Sequence, residues 1–278
     1  MAAPDRPEIG AFIVAGGVKT NYLESGTGAP VVLIHGSGPG VTAYANWRLT
    51  LPDLAQHFRV LAPDMDGFGY SDKRGDYSIS GWVGQIMGFL DALNLERASL
   101  VGNSFGGAIA LRIAIDHPDR VDRLVLMGAM GVDFPITEGL DAGWGYEPGI
   151  ENMRRILEFF TYNRELITDD LVEVRYRAAL DPGVQEAFAQ MFPPPRQRGV
   201  KNMASPEDQI AQIPHETLIV HGRDDRVIPL QNAYRLLELL PRSELHVFGR
   251  CGHWSQIEWA DEFNDQVIRF LGRKARDV

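Results

Sequence analysis

Ala98–Ser99–Leu100–Val101–Gly102–Asn103–Ser104–Phe105–Gly106–Gly107 is the stretch on which the reading of this chain turns. An apolar run ends in a Gly-x-Ser-x-Gly pentapeptide, and a helix-like segment, 108–115, follows until Pro118 stops it. A strand that turns sharply into a helix carries its serine at the tip of a tight, strained bend. Glycines flank such a serine because Cβ atoms there would keep the two backbones apart. The helix N-terminus beneath Ser104 favours negative charge nearby. Taken alone, the same residues also fit a plain glycine turn, so the reading needs partners elsewhere in the chain.

Short apolar runs recur on both sides of this stretch, at 31–34, 60–62, 124–127, 217–220 and 245–248. Continuous apolar runs, without alternation, mark strands covered on both faces. Amphipathic segments separate many of them. Ile79, Trp82, Val83, Ile86, Met87, Leu90 and Leu93 share one helical face. Strand then helix, repeated, predicts a mostly parallel central sheet with helices on both faces. The segment 12–23, with Gly16–Gly17 at its turn, predicts an antiparallel hairpin at one edge.

The alternation stops between residues 133 and 213. Ile150, Met153, Ile156, Leu157 and Phe160 form one helical stripe; Leu171, Val174 and Ala178 form another, after a Thr168 N-cap with Asp169 and Asp170 in the first turn. Pro193–Pro194–Pro195 breaks the chain sharply. The expected organisation is a core domain of residues 1–132, an inserted helical cap of residues 133–213, and the remaining core of residues 214–278.

A serine hydroxyl needs a base to act as a nucleophile. Of seven histidines, His253 stands in a Gly-rich loop just past the last predicted strand, where open α/β sheets put their chemistry. The other six are read as structural or surface residues. The strand before it ends in His221–Gly222–Arg223–Asp224–Asp225–Arg226. Successive parallel strands then deliver Ser104, an aspartate and His253, in that order, to one sheet edge. This is the order of the α/β-hydrolase fold. In that fold the acid stands three residues after the glycine, which favours Asp225; Asp224 is the rival, otherwise a solvated or capping carboxylate. His35–Gly36–Ser37–Gly38–Pro39–Gly40 follows the first buried strand and suits an oxyanion loop, with the N–H groups of Ser37 and Phe105 as donors.

Composition narrows the classes. With 45% hydrophobic and 23% charged residues, the chain reads as soluble and globular. Its formal net charge of -10 argues against nucleic acid as a partner, and residues 196–201, the nearest candidate for a basic patch, hold only three basic side chains. No run of residues has the length and apolarity of a membrane span. A single cysteine, Cys251, permits no internal disulfide, and residues 1–10 show no apolar leader; a cytoplasmic protein is expected. Cys251 is tempting as a thiol nucleophile but reads better as a small packing residue. No phosphate-binding loop or zinc-type spacing occurs, so neither cofactor nor metal is expected.

Several longer pieces resemble one family. They are His35 to Val41, Tyr44–Ala45–Asn46–Trp47, Asp66–Gly67–Phe68–Gly69, the Ser104 stretch, and Phe248–Gly249–Arg250–Cys251–Gly252–His253–Trp254, with residues 134–140 and 192–197 of the cap. Together they look like the meta-cleavage product hydrolases, which split carbon–carbon bonds in catechol ring-fission products, most of all those acting on single-ring products such as 2-hydroxymuconic semialdehyde. The resemblance implies a small acidic dienoate substrate, release of 2-hydroxypenta-2,4-dienoate and a short acid, and a homo-oligomer. It places Arg175 on the substrate carboxylate, with Arg177 as the other candidate. It places Gly36, Gly38, Asn46, Asn103 and Trp254 around the substrate. Met130 stands where related sequences tend to carry smaller residues; facing the pocket, it would restrict the terminal group to hydrogen, methyl or ethyl. A carboxylesterase or lactonase on the same fold is the alternative.

Overall fold

A computed structural model of the chain describes residues 6–75 and 77–274. Residues 1–5, half of the stretch 1–10 considered above, lie outside it. Eight strands form one sheet: β1 (Ala11–Ala15), β2 (Val18–Ser25), β3 (Pro30–Ile34), β4 (Arg59–Pro63), β5 (Ala98–Asn103), β6 (Val121–Met127), β7 (Thr217–Gly222) and β8 (Ser243–Phe248). Their order is β1-β2-β4-β3-β5-β6-β7-β8. β1 pairs antiparallel with β2, and β2 with β4; every other pairing is parallel. The expected edge hairpin and the parallel body are both present.

Alternate residues of the buried strands serve opposite faces of the sheet. Val32 and Ile34 of β3 pack into a cluster with Ile86 and Phe89 of the helix Ile79–Ala92 and with Ile109 of the helix Phe105–Asp116. Val31 and Leu33 pack instead with Trp47, Leu54, Phe263 and Phe270, from helices on the other side. Each large side chain buried in this way contributes about 1.5–3 kcal/mol. With both faces covered, the carboxyl ends of the parallel strands remain as the open place for a site.

Between β6 and β7 the chain forms helices only, from Glu138 to Ile210. Thr168 caps the helix Asp169–Ala179 by accepting from the Leu171 N–H. The stripe expected on this helix is rotated by one position. Val172, Arg175 and Ala179 are buried, whereas Val174 is 60% exposed. The apolar pattern misleads here because the inward face carries an arginine, which turns its hydrophobic neighbour outward. On the helix Ile150–Phe160, Met153, Ile156, Leu157 and Phe160 are buried as expected, and Ile150 at its first turn is exposed.

Candidate active site

The end of β5 and the helix Phe105–Asp116 hold Ser104 in the left-handed region, at φ 53°. Its N–H donates to the Met127 carbonyl, and its carbonyl accepts from Gly107 and Met130. The glycines fit as expected. A Cβ on Gly106 would run into the Ile34 carbonyl, and one on Gly107 would stand 2.5 Å from the Ala129 Cβ. The Ser104 side chain does not cap its own helix, so its hydroxyl is left for other work.

His253 and Asp225 meet directly. The imidazole Nδ1 lies 2.7 Å from Asp225 Oδ2 and donates to it. The other carboxylate oxygen accepts the N–H groups of Val227 (2.8 Å) and Ile228 (2.9 Å). Burial pushes the Asp225 carboxyl up, but the adjacent imidazole and these hydrogen bonds outweigh it, so the group sits below its ordinary value. Asp224 turns away and pairs with Arg223 at 3.3 Å. Ser104 and His253 line one cleft, and among the described residues no hydrogen bond joins the hydroxyl to the ring. Such bonds commonly tighten only when substrate arrives.

Gly36 to Gly38 form the wall beside Ser104. The N–H groups of Ser37 and Phe105 have no acceptor among the described residues, whereas that of Gly36 is taken by Asn46 Oδ1. The Ser37 hydroxyl accepts from Trp144 Nε1 of the cap at 2.9 Å, and Trp144 stacks on Phe192 with centroids 4.3 Å apart. Asn103 Oδ1 fills the space a Gly36 Cβ would need, and Asn103 Nδ2 donates to the Met127 carbonyl. Among the described residues three buried polar atoms in the cleft lack a partner: Asn46 Nδ2, Gln256 Oε1 and Arg175 Nε. Buried polar groups are as a rule hydrogen-bonded, so three open ones around one cleft set it apart from the surrounding core.

Arg175 lines the cleft, with Nη2 on the Pro39 carbonyl and its guanidinium 6.0 Å from the Trp254 ring. Arg177, its rival, is exposed and paired with Glu173. Burial, with Arg48 nearby, lowers the Arg175 pKa to about 10, which still leaves it charged at neutral pH. Met130 is not among the residues lining the cleft. Its backbone is tied beneath the serine turn, and its side chain is fully buried in the core. Cys251 is also buried, which raises its thiol to about 12, so it carries no thiolate at neutral pH.

Several supports had no signal in the sequence. The Phe160 carbonyl accepts the His253 N–H at 2.8 Å, and its ring packs edge-on against the imidazole. Glu258 accepts from Gly252 with one oxygen and from Tyr162 and Asn163 with the other, joining the histidine loop to the cap. A Cβ on Gly128 (φ 50°) would press within 3.1 Å of His253. Its position right after a buried strand is the one cue that could have marked it. Among the described residues no group of three or more His, Cys, Asp or Glu side chains is placed to hold a metal ion.

A strained serine at the end of a central parallel strand, with a His–Asp pair on the loops after the last two strands, defines an α/β hydrolase. Residues 29–260 match the family model described as the alpha/beta hydrolase fold. A 2-hydroxymuconate semialdehyde hydrolase from Pseudomonas sp. (strain CF600) is 57% identical over 98% of this chain and 97% of its own. A 2-hydroxy-6-oxo-2,4-heptadienoate hydrolase from a Pseudomonas putida strain is 58% identical over 95% and 96%. The structure of a meta-cleavage product hydrolase from Pseudomonas fluorescens IP01, a serine-to-alanine variant complexed with acetates, superposes with a TM-score of 0.95 at 55% identity, covering 96% of this chain and 98% of that one. The chain belongs to the meta-cleavage product hydrolases of the α/β-hydrolase family.

Proposed function

We propose that this enzyme hydrolyses a carbon–carbon bond in a meta-ring-fission product of the 2-hydroxy-6-oxohexa-2,4-dienoate type, releasing 2-hydroxypenta-2,4-dienoate and a short carboxylic acid. The observation that carries the reading is one cleft holding both a serine with a His–Asp pair and a buried arginine that has no carboxylate partner among the described residues. An ester needs only the first. An acidic, enolic substrate uses both, because a planar guanidinium suits a carboxylate.

In this reading Arg175 holds the carboxylate, with Asn46 and Asn103 at the enol end and Trp254 beside the imidazole. A carbon leaving group must be able to carry charge. Proton transfer from the 2-hydroxyl to carbon 5, assisted by His253, gives the keto tautomer, in which the departing fragment leaves as a stabilised dienolate. His253 then takes the Ser104 proton as the oxygen attacks the distal carbonyl, and Asp225 steadies the charged ring. The new oxyanion rests on the Ser37 and Phe105 N–H groups. Collapse breaks the carbon–carbon bond, the dienolate takes a proton, and water hydrolyses the acyl-serine. Acid–base help and the oxyanion donors each contribute on the order of two to four powers of ten.

The cap, residues 133–213, roofs the cleft in this proposal and keeps bulk water from the dienolate. No helix among the described residues is long and apolar enough to cross a membrane. A cytoplasmic homo-oligomer is part of the reading, and cell fractionation and light scattering test it.

The deciding experiment follows absorbance decay on a panel of ring-fission products differing only at the terminal group, with p-nitrophenyl esters alongside. Fast loss of the dienoates with hydrogen, methyl or ethyl termini is expected. Ester turnover with no dienoate turnover would leave an esterase or lactonase instead.

A further inference from the structure

Arg48 lines the same cleft as Arg175 and came into view only in the structure. It follows the short helix Ala43–Trp47, and its Nη1 donates back to the Ala45 carbonyl at 2.8 Å. That bond fixes one edge of the guanidinium and leaves the rest free. No ion pair is formed by Arg48 or Arg175 among the described residues, and no lining residue of the cleft is acidic. The two cations are close enough for Arg48 to depress the Arg175 pKa. Neighbouring like charges without a counter-ion are costly, and a site keeps them where a ligand supplies the missing charge.

The two arginines differ in depth. Arg175 is buried, whereas Arg48 is partly exposed, like Leu166, Leu171 and Ile257, the apolar residues that share the outer part of the lining. Arg48 is thus the charged residue of the rim. The chain as a whole carries -10, which repels an organic anion at long range. A cation at the mouth reverses that field where it matters.

We propose that Arg48 is a second anion-binding residue of the cleft, which draws a carboxylate substrate in at the rim and shares its negative charge with Arg175. The proposal rests on the carboxylate reading given above and extends it by a residue. A substrate that carries a carboxylate and an adjacent enol oxygen offers two acceptors, enough for two guanidinium groups.

The test compares the parent enzyme with Arg48→Gln and Arg48→Lys. Losing a charge-assisted contact raises KM for the dienoate about ten- to a hundredfold. The fall in kcat/KM is expected to be at least fivefold larger on the dienoate than on neutral p-nitrophenyl acetate, and Arg48→Lys recovers part of it. In the parent, added salt lowers kcat/KM for the dienoate, and Arg48→Gln flattens that dependence. Equal losses on the anionic and neutral substrates, or an unchanged salt slope, would overturn the proposal. Equilibrium binding of hexa-2,4-dienoate against its neutral amide separates this idea from the reading beneath it. If the parent cleaves no dienoate but Arg48→Gln still weakens binding of the anion alone, the functional reading falls and the anion site stands.

Discussion

His221 Nε2 lies 3.4 Å from Asp225 Oδ2, the oxygen that meets the His253 imidazole at 2.7 Å. The same nitrogen is 3.0 Å from the Ile228 carbonyl, to which it donates as Nε2–H. Burial lowers the His221 pKa, although the Asp225 carboxylate opposes this, so the ring is a neutral donor at pH 7. It stiffens the loop that presents the carboxylate. His221→Leu removes the donor and leaves a buried carbonyl unpaired, at a cost of about 1–3 kcal/mol. Denaturant midpoints should fall accordingly, and kcat should drop with KM nearly constant. His221→Gln, which keeps an N–H, should recover part of both. An unchanged kcat in the Leu variant would deny the loop this role.

Ser104 sits at φ 53°, where a side chain stores strain of about 1–3 kcal/mol. Ser104→Gly should remove activity to below about one part in a thousand and at the same time raise thermal stability. Ser104→Ala should lose activity equally without the gain, because it keeps a Cβ. A scan showing the Gly variant less stable than the Ala variant would contradict the strain argument.

His35 and Asp64 give opposite pH dependence over one window. Burial lowers His35 from 6.5 to about 4, so on acidification the unfolded chain takes a proton that the folded chain refuses. That contribution is present above 6.5 and is lost as pH falls through 4. Burial raises Asp64 from 3.8 to about 6, so the folded chain holds the extra proton; its contribution is present below 3.8 and lost as pH rises through 6. Each amounts to about 3 kcal/mol, and between pH 4 and 6 the two slopes nearly cancel. Asp64→Asn should therefore make stability fall more steeply from pH 6 to 4, and His35→Gln should tilt it the other way. Urea midpoints at pH 4, 5 and 6 decide; profiles parallel to the parent would refute the pairing.

Gly40, at φ 64°, lets the loop that follows β3 pass under the cap helix Asp169–Ala179. A Cβ there would approach the Ala179 nitrogen to 2.5 Å. Gly40→Ala should destabilise by about 2 kcal/mol or more and raise KM for the dienoate, because Arg175 rides on the displaced helix. Unchanged KM in a folded Gly40→Ala enzyme would show that the helix is free to adjust.

Much of this architecture was legible in one dimension, for identifiable reasons. The apolar runs of the buried strands announce themselves because both sheet faces need covering, and Gly102 to Gly107 can form only a narrow set of turns. The expected acid, Asp225, and base, His253, meet in the fold because each follows a strand of known order. Patterns failed where an inward face is polar, as in the helix that carries Arg175. Trp144 on Ser37, Phe160 on His253 and Glu258 on the cap are contacts between distant segments, and no spacing encodes them.

The bond from the His253 N–H to the Phe160 carbonyl has a mechanical consequence. Roof and proton carrier are fastened at this point, so an outward swing there would drag the imidazole off its station. A chimera that imports a foreign roof must bring its own 160–163 segment or find the histidine loop loose.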